Sequence, residues 1–159
     1  MILVLLGTQK NNFLRLLNKL DDLLENGVIN EKVVVQAGAT KYNSNKMEIF
    51  DYVEKDHMND LIEKSRFIIT HGGVGSITNC LKMGKKVIAV PRLKKYGEHI
   101  NNHQQQIVEE FTNKKLIIGV NEIEYLAEAI KNIEKFQPND FVGNNKKILN
   151  IITDFIDNN

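Results

Sequence analysis

The sequence predicts an α/β domain organised around a parallel sheet. Short apolar runs rich in β-branched residues alternate with longer segments of helical period, the pattern of consecutive βα units. The 159 residues are 42% hydrophobic and 26% charged with two prolines, which argues for an ordinary globule and against a disordered or collagen-like chain. No internal repeat or linker interrupts the alternation, so residues 1–159 read as a single domain.

The predicted strands are Ile2–Leu6, Lys32–Gln36, a weaker Glu48–Val53, Phe67–Thr70, Lys86–Val90 and Leu116–Ile118. Between the first two, Phe13, Leu16, Leu17, Leu20, Leu23 and Leu24 recur at spacings of three and four, an apolar helix face that Gly27 terminates. Further helices are expected over Met58–Lys64, Ser76–Met83, Asn101–Phe111, Ile123–Ile133 and Lys146–Ile156. In the last of these, Ile148, Ile151, Ile152, Phe155 and Ile156 form one apolar stripe.

Formal net charge is +1, from 21 basic and 20 acidic side chains, so no global field draws the chain to nucleic acid or an anionic membrane. Binding of an anion needs a local site. The single cysteine, Cys80, excludes an internal disulfide framework and a multi-cysteine zinc site and suits a reducing cytoplasm. The first apolar run passes straight into Gly7-Thr8-Gln9-Lys10, which reads as a strand end and not as a signal peptide. No run reaches the roughly 18 apolar residues of a spanning helix. The expected location is therefore cytoplasmic, with any membrane contact made through another molecule.

In open parallel sheets ligands bind at the carboxyl ends of strands, where strand order reverses. After Thr70 the chain runs His71-Gly72-Gly73-Val74-Gly75-Ser76 and then enters a helix. Glycines allow a tight turn and let a ligand reach main-chain N–H groups, and a helix N-terminus attracts phosphate. A diphosphate is the expected guest, with His71 as an added donor and Ser76 as helix cap or phosphate ligand. A plain strand-to-helix turn is the competing explanation. The ending of a Walker loop and the Gly-x-Gly-x-x-Gly dinucleotide fingerprint are both absent.

After Val90 a polar loop, Pro91 to His99, leads to Asn101-Asn102-His103-Gln104-Gln105-Gln106. Side-chain amides both donate and accept, which suits sugar hydroxyls; an exposed polar helix start is the alternative. From Gly72 to Gly97 the chain carries six basic residues and no acidic one, a local positive patch or a solvated lysine face.

Read as an ordered set, His71-Gly-Gly-Val-Gly-Ser76, Gly84-Lys-Lys-Val-Ile-Ala-Val-Pro91, Lys95-Tyr-Gly-Glu-His99 and Asn102-His-Gln104 resemble the soluble subunit of split GT-B glycosyltransferases. That group includes the PssE-type capsule and exopolysaccharide proteins and the soluble half of the dolichol-diphosphate N-acetylglucosamine transferase. The resemblance implies a Rossmann-like parallel sheet flanked by helices, the C-terminal half of a GT-B enzyme of glycosyltransferase family 28. It further implies a UDP-sugar donor and an inverting transfer of a hexose-type sugar to a lipid-linked acceptor held by a separate membrane-anchored subunit. A non-catalytic activator of such a subunit is the alternative.

Position by position, Gly72, Gly73, Val74, Gly75 and Ser76 would hold the diphosphate, with His71 stabilising the leaving group. Gly7, Thr8 and Gln9 would line the cleft floor, Thr8 and Gln9 adding to the diphosphate site, and Val53 and Asn79 would meet the base and ribose. Asn79 stands where relatives commonly carry an acidic residue, which weakens the ribose contact. Asn102, His103, Gln104 and Gln105 would face the donor sugar. Glu98 is the local candidate for a catalytic base, a loop ion pair being its other reading. The resemblance implies no cofactor, and no Asp-x-Asp is present to hold a metal. An unpartnered docking face would allow a homodimer of the isolated chain.

Overall fold

The computed structural model describes residues 1–141. The predicted helix over Lys146–Ile156 and its apolar stripe lie outside the described residues. Six strands form one parallel sheet in the order β3-β2-β1-β4-β5-β6. These are β1 (Ile2–Leu5), β2 (Val33–Gln36), β3 (Glu48–Phe50), β4 (Phe67–Thr70), β5 (Val87–Ala89) and β6 (Ile118–Gly119). Every pairing is parallel, with Leu5 opposite both Gln36 and Thr70, and Thr70 opposite Ala89. The carboxyl ends of the four central strands are thus level, and the loops that leave them share one rim.

The helices are α1 (Leu14–Glu25), α2 (Lys55–Lys64), α3 (Val74–Lys82), α4 (His103–Asn113) and α5 (Leu126–Asn132). Alternation along β1 divides the core into two. Ile2, Val4 and Leu6 pack with the α1 face formed by Phe13, Leu16, Leu17 and Leu20 and with Leu126 and Ile130 of α5. Leu3 and Leu5 pack with Ile62 of α2, Ile77 and Cys80 of α3, and Val108 and Phe111 of α4. The sheet is therefore covered on both faces, which is why its strands read as continuous apolar runs. Gly27 ends α1 in the left-handed region at φ +72°, as the sequence suggests.

Strand order reverses between β1 and β4, so the crevice expected to take a ligand opens between the loop after Leu5 and the loop after Thr70. Two members of the basic stretch between Gly72 and Gly97, Lys85 and Lys86, do not gather there. Lys85 Nζ donates to Glu63 O at 2.7 Å and Ser65 O at 2.9 Å, at the C-terminal end of α2. Lys86 Nζ donates to Ile133 O at 3.2 Å and Glu134 O at 2.8 Å, just past α5. Both lysines precede β5 and so lie at the end of the sheet opposite the crevice, where an ammonium satisfies orphaned helix carbonyls. Lys85→Met is expected to lower stability by about 0.5–1.5 kcal/mol in urea unfolding while leaving ligand binding unchanged.

Candidate functional site

The glycine turn leaves β4 between its neighbours β1 and β5. Helix α3 starts at Val74, two residues earlier than expected, with Gly73 at the capping position and no side chain capping it. Ser76 is accordingly not the cap but part of the first turn. Ile77 N–H is the first to meet a helical carbonyl, Gly73 O at 3.1 Å. The N–H groups of Val74, Gly75 and Ser76 therefore have no helical carbonyl to bond and are available to an anion. Gly72 sits at φ +90°, and a Cβ there would come within 2.7 Å of Val108 Cγ2, so both conformation and space require glycine.

His71 is buried, and its ring is wedged between Gly7 and Gly73, since a Cβ on either glycine would run into the imidazole. His71 N–H and Nδ1 both bond Leu5 O, each at 3.1 Å. A carbonyl only accepts, so Nδ1 carries the proton and Nε2 of the neutral ring presents a lone pair. Burial lowers the imidazole to about 4, and the charge of Arg92 adds to that effect. The ring fixes the spacing between the β1 loop and the glycine turn.

Thr8 and Gln9 are exposed on the loop that leaves β1. Their loop is held from below by Gln36, whose amide donates to Gly7 O at 3.2 Å and to Asp51 O at 3.0 Å. That second bond ties in the loop after β3, where Val53 is half-buried. Asn79 is half-buried on α3. Gln36 was not among the expected site residues; the signal available was a polar side chain closing the otherwise apolar strand Val-Val-Val-Gln.

Neighbouring residues on a helix project about 100° apart, and the structure separates Gln104 from Gln105 accordingly. Gln104 is buried, and its Oε1 accepts from Arg92 N–H at 3.1 Å, leaving only its amide hydrogens for a ligand. Gln105 and Asn102 line a small hollow of about 130 Å³ with Leu93, Lys95, Asn121 and Glu122. Asn102 Oδ1 accepts from Lys94 N–H at 3.0 Å. His103 opens α4, its N–H bonded to Asn101 Oδ1 at 3.1 Å.

Glu98 is 3% exposed, and both carboxylate oxygens are occupied. Oε1 accepts from Arg15 Nε at 2.8 Å, and Oε2 accepts from Arg15 Nη2 and from Leu93 N–H, each at 2.9 Å. A carboxylate so engaged is a structural ion pair, and the catalytic-base reading of Glu98 falls. Beside it, Arg92 is fully buried, with Nη1 donating to Asn11 O at 2.8 Å and Glu98 O at 3.2 Å, and Nη2 to Leu6 O at 2.8 Å.

Comparison with known proteins bears on the fold and the family. A stretch of 109 residues, 69% of this chain, is 28% identical to the UDP-N-acetylglucosamine transferase subunit ALG13 of Candida albicans. This chain spans only 32% of that relative's length. Among solved structures, an ALG13 solution structure superposes with a TM-score of 0.62 at 16% identity, over 94% of this chain and 93% of that one. The kitacinnamycin glycotransferase gives a TM-score of 0.61 at 14% identity, over 98% of this chain and 38% of the enzyme. Acinetobacter baumannii MurG gives 0.55 at 14% identity, over 83% of this chain and 40% of that one. The fold is that of a C-terminal GT-B domain. Residues 1–158 match the glycosyltransferase family 28 C-terminal domain, and the chain belongs to that family.

Proposed function

We propose that this chain is the UDP-sugar-binding subunit of a two-component inverting glycosyltransferase. In this reading a membrane-anchored partner supplies the lipid-linked acceptor, and a hexose-type sugar is transferred during capsule or exopolysaccharide synthesis. The observation that carries the reading is the position of the glycine turn. It places free N–H groups of α3 at the strand-order reversal of a family 28 domain. Those N–H groups and the helix dipole suit the diphosphate, whose negative charge grows as UDP departs.

The chemistry also needs a base to take the proton of the attacking hydroxyl. The ion-paired Glu98 leaves that role to the acceptor-binding subunit. Gln104, Gln105, Asn102 and His103 remain the donor-sugar candidates, and Val53 and Asn79 those for uridine. The subunit works at the inner face of the membrane through its partner, and residues 1–159 act as a single nucleotide-sugar-binding domain.

Calorimetric titration of the full chain, alone and with its partner subunit, tests the reading. Saturable binding of UDP and a UDP-hexose is the expected result; absence of binding in both settings would favour a non-catalytic activator. The amide of Asn79, in place of a charged ribose ligand, is what keeps that second reading in view.

A further inference from the structure

The glycine turn and the first two turns of α3 carry no cation of their own. His71 is neutral, and no Lys or Arg occurs between His71 and Lys82. Dipoles alone would face at least two negative charges. A positive charge fixed in place is offered by Arg92, which follows β5 and reaches Leu6 O and Asn11 O beyond the end of β1. Since β4 lies between β1 and β5, its guanidinium crosses the exit of β4, where the glycine turn begins. A Cβ added to Gly72 would come within 3.5 Å of the Cα of Pro91, the residue before Arg92.

The bonding of Arg92 is unusual for a buried cation. Its three acceptors are main-chain carbonyls, and its Nε has no partner. The adjacent carboxylate, Glu98, is already bonded to Arg15. The cluster of Arg15, Arg92 and Glu98 thus carries one net positive charge, and because Arg92 itself has no exposed surface its field is weakly screened. Burial lowers Arg92 to about 10, so it stays charged at neutral pH. Its field depresses the protonation of both His71 and His99.

We propose that Arg92 is the positioning residue of the diphosphate site: its buried guanidinium joins the β1 and β5 loops across the glycine turn and supplies, without touching the ligand, the positive field that selects a diphosphate over an uncharged nucleoside. The inference rests on the UDP-sugar reading. Inorganic pyrophosphate serves as a probe that does not depend on the nucleoside.

The test is titration of the wild type, Arg92→Met, Arg92→Lys and Glu98→Gln with pyrophosphate, UDP and uridine. Arg92→Met is expected to weaken UDP and pyrophosphate about tenfold with uridine unchanged, and Arg92→Lys to recover most of the loss. Glu98→Gln removes the compensating charge and is expected to tighten pyrophosphate and UDP severalfold; this variant decides the matter if Arg92→Met does not fold. Equal losses for UDP and uridine, or diphosphate binding indifferent to both variants, would overturn the proposal and leave the UDP-sugar reading standing. Arg92-dependent binding of pyrophosphate without any UDP binding would support the charge assignment and reject the nucleotide. A wild type that binds none of the three probes sinks both.

Discussion

Acidification from pH 6.5 to pH 4 is expected to remove on the order of 3 kcal/mol of folding stability through His71 alone. In the unfolded chain the imidazole titrates near 6.5; in the fold, burial holds it down at about 4. Between those values the unfolded state binds a proton that the native state refuses, so stability rises with pH across the window. The contribution is complete above the unfolded value and is lost as pH falls through the folded one. His71→Asn isolates the effect, because the asparagine amide can keep the hydrogen bond to Leu5 O without titrating.

Urea unfolding at a series of pH values should therefore show wild-type stability falling toward that of the variant as the solution is acidified. Carboxylates titrating in the same range contribute to both proteins and cancel. Parallel curves would mean that the ring takes up its proton in place. His71→Ala goes further, since it also removes the wedge between Gly7 and Gly73. In the reconstituted complex transfer should drop to background, and wild-type transfer in that variant would reject the site.

Most of the architecture was legible because a parallel sheet covered on both faces leaves a simple trace. Phe67–Thr70 is a strand with the expected bounds, and β1, β2 and β5 differ by a residue at one or both ends. Pairing drifts from the apolar pattern at the margin. Leu116 and Ile117 are buried, yet the ladder to β5 begins only at Ile118. At the site, the glycine turn and the amide-rich helix start could be read as local strings. Arg92 could not, because its residue type signals charge and surface, and only the three loop carbonyls converging on it explain its burial. The same limit applies to Glu98, whose partner Arg15 lies 83 residues away. A sequence also shows Gln104 and Gln105 as a pair, while the helix turns one toward the sheet and the other toward a hollow.

Gly75→Ala is expected to raise stability by about 0.5–1 kcal/mol while weakening UDP-sugar binding on the order of 100-fold. Gly75 lies in the first turn of α3, its φ is not positive, and an added Cβ meets no atom within 4 Å. Nothing in the fold itself therefore requires glycine there, and alanine is the better helix former. Gly72 and Gly73 differ, because a side chain at either would collide with Val108 or with His71. A glycine that the fold does not need, placed among the free N–H groups of a helix N-terminus, is accounted for by a ligand that must approach the main chain closely. The methyl group of alanine would occupy that approach, so the predicted gain in stability and loss of binding have one cause. Thermal unfolding and calorimetry on the same preparation check both signs. A stabilised variant with wild-type affinity would show that the diphosphate does not rest on this turn, whereas a destabilised one would show that Gly75 serves the fold and not the donor.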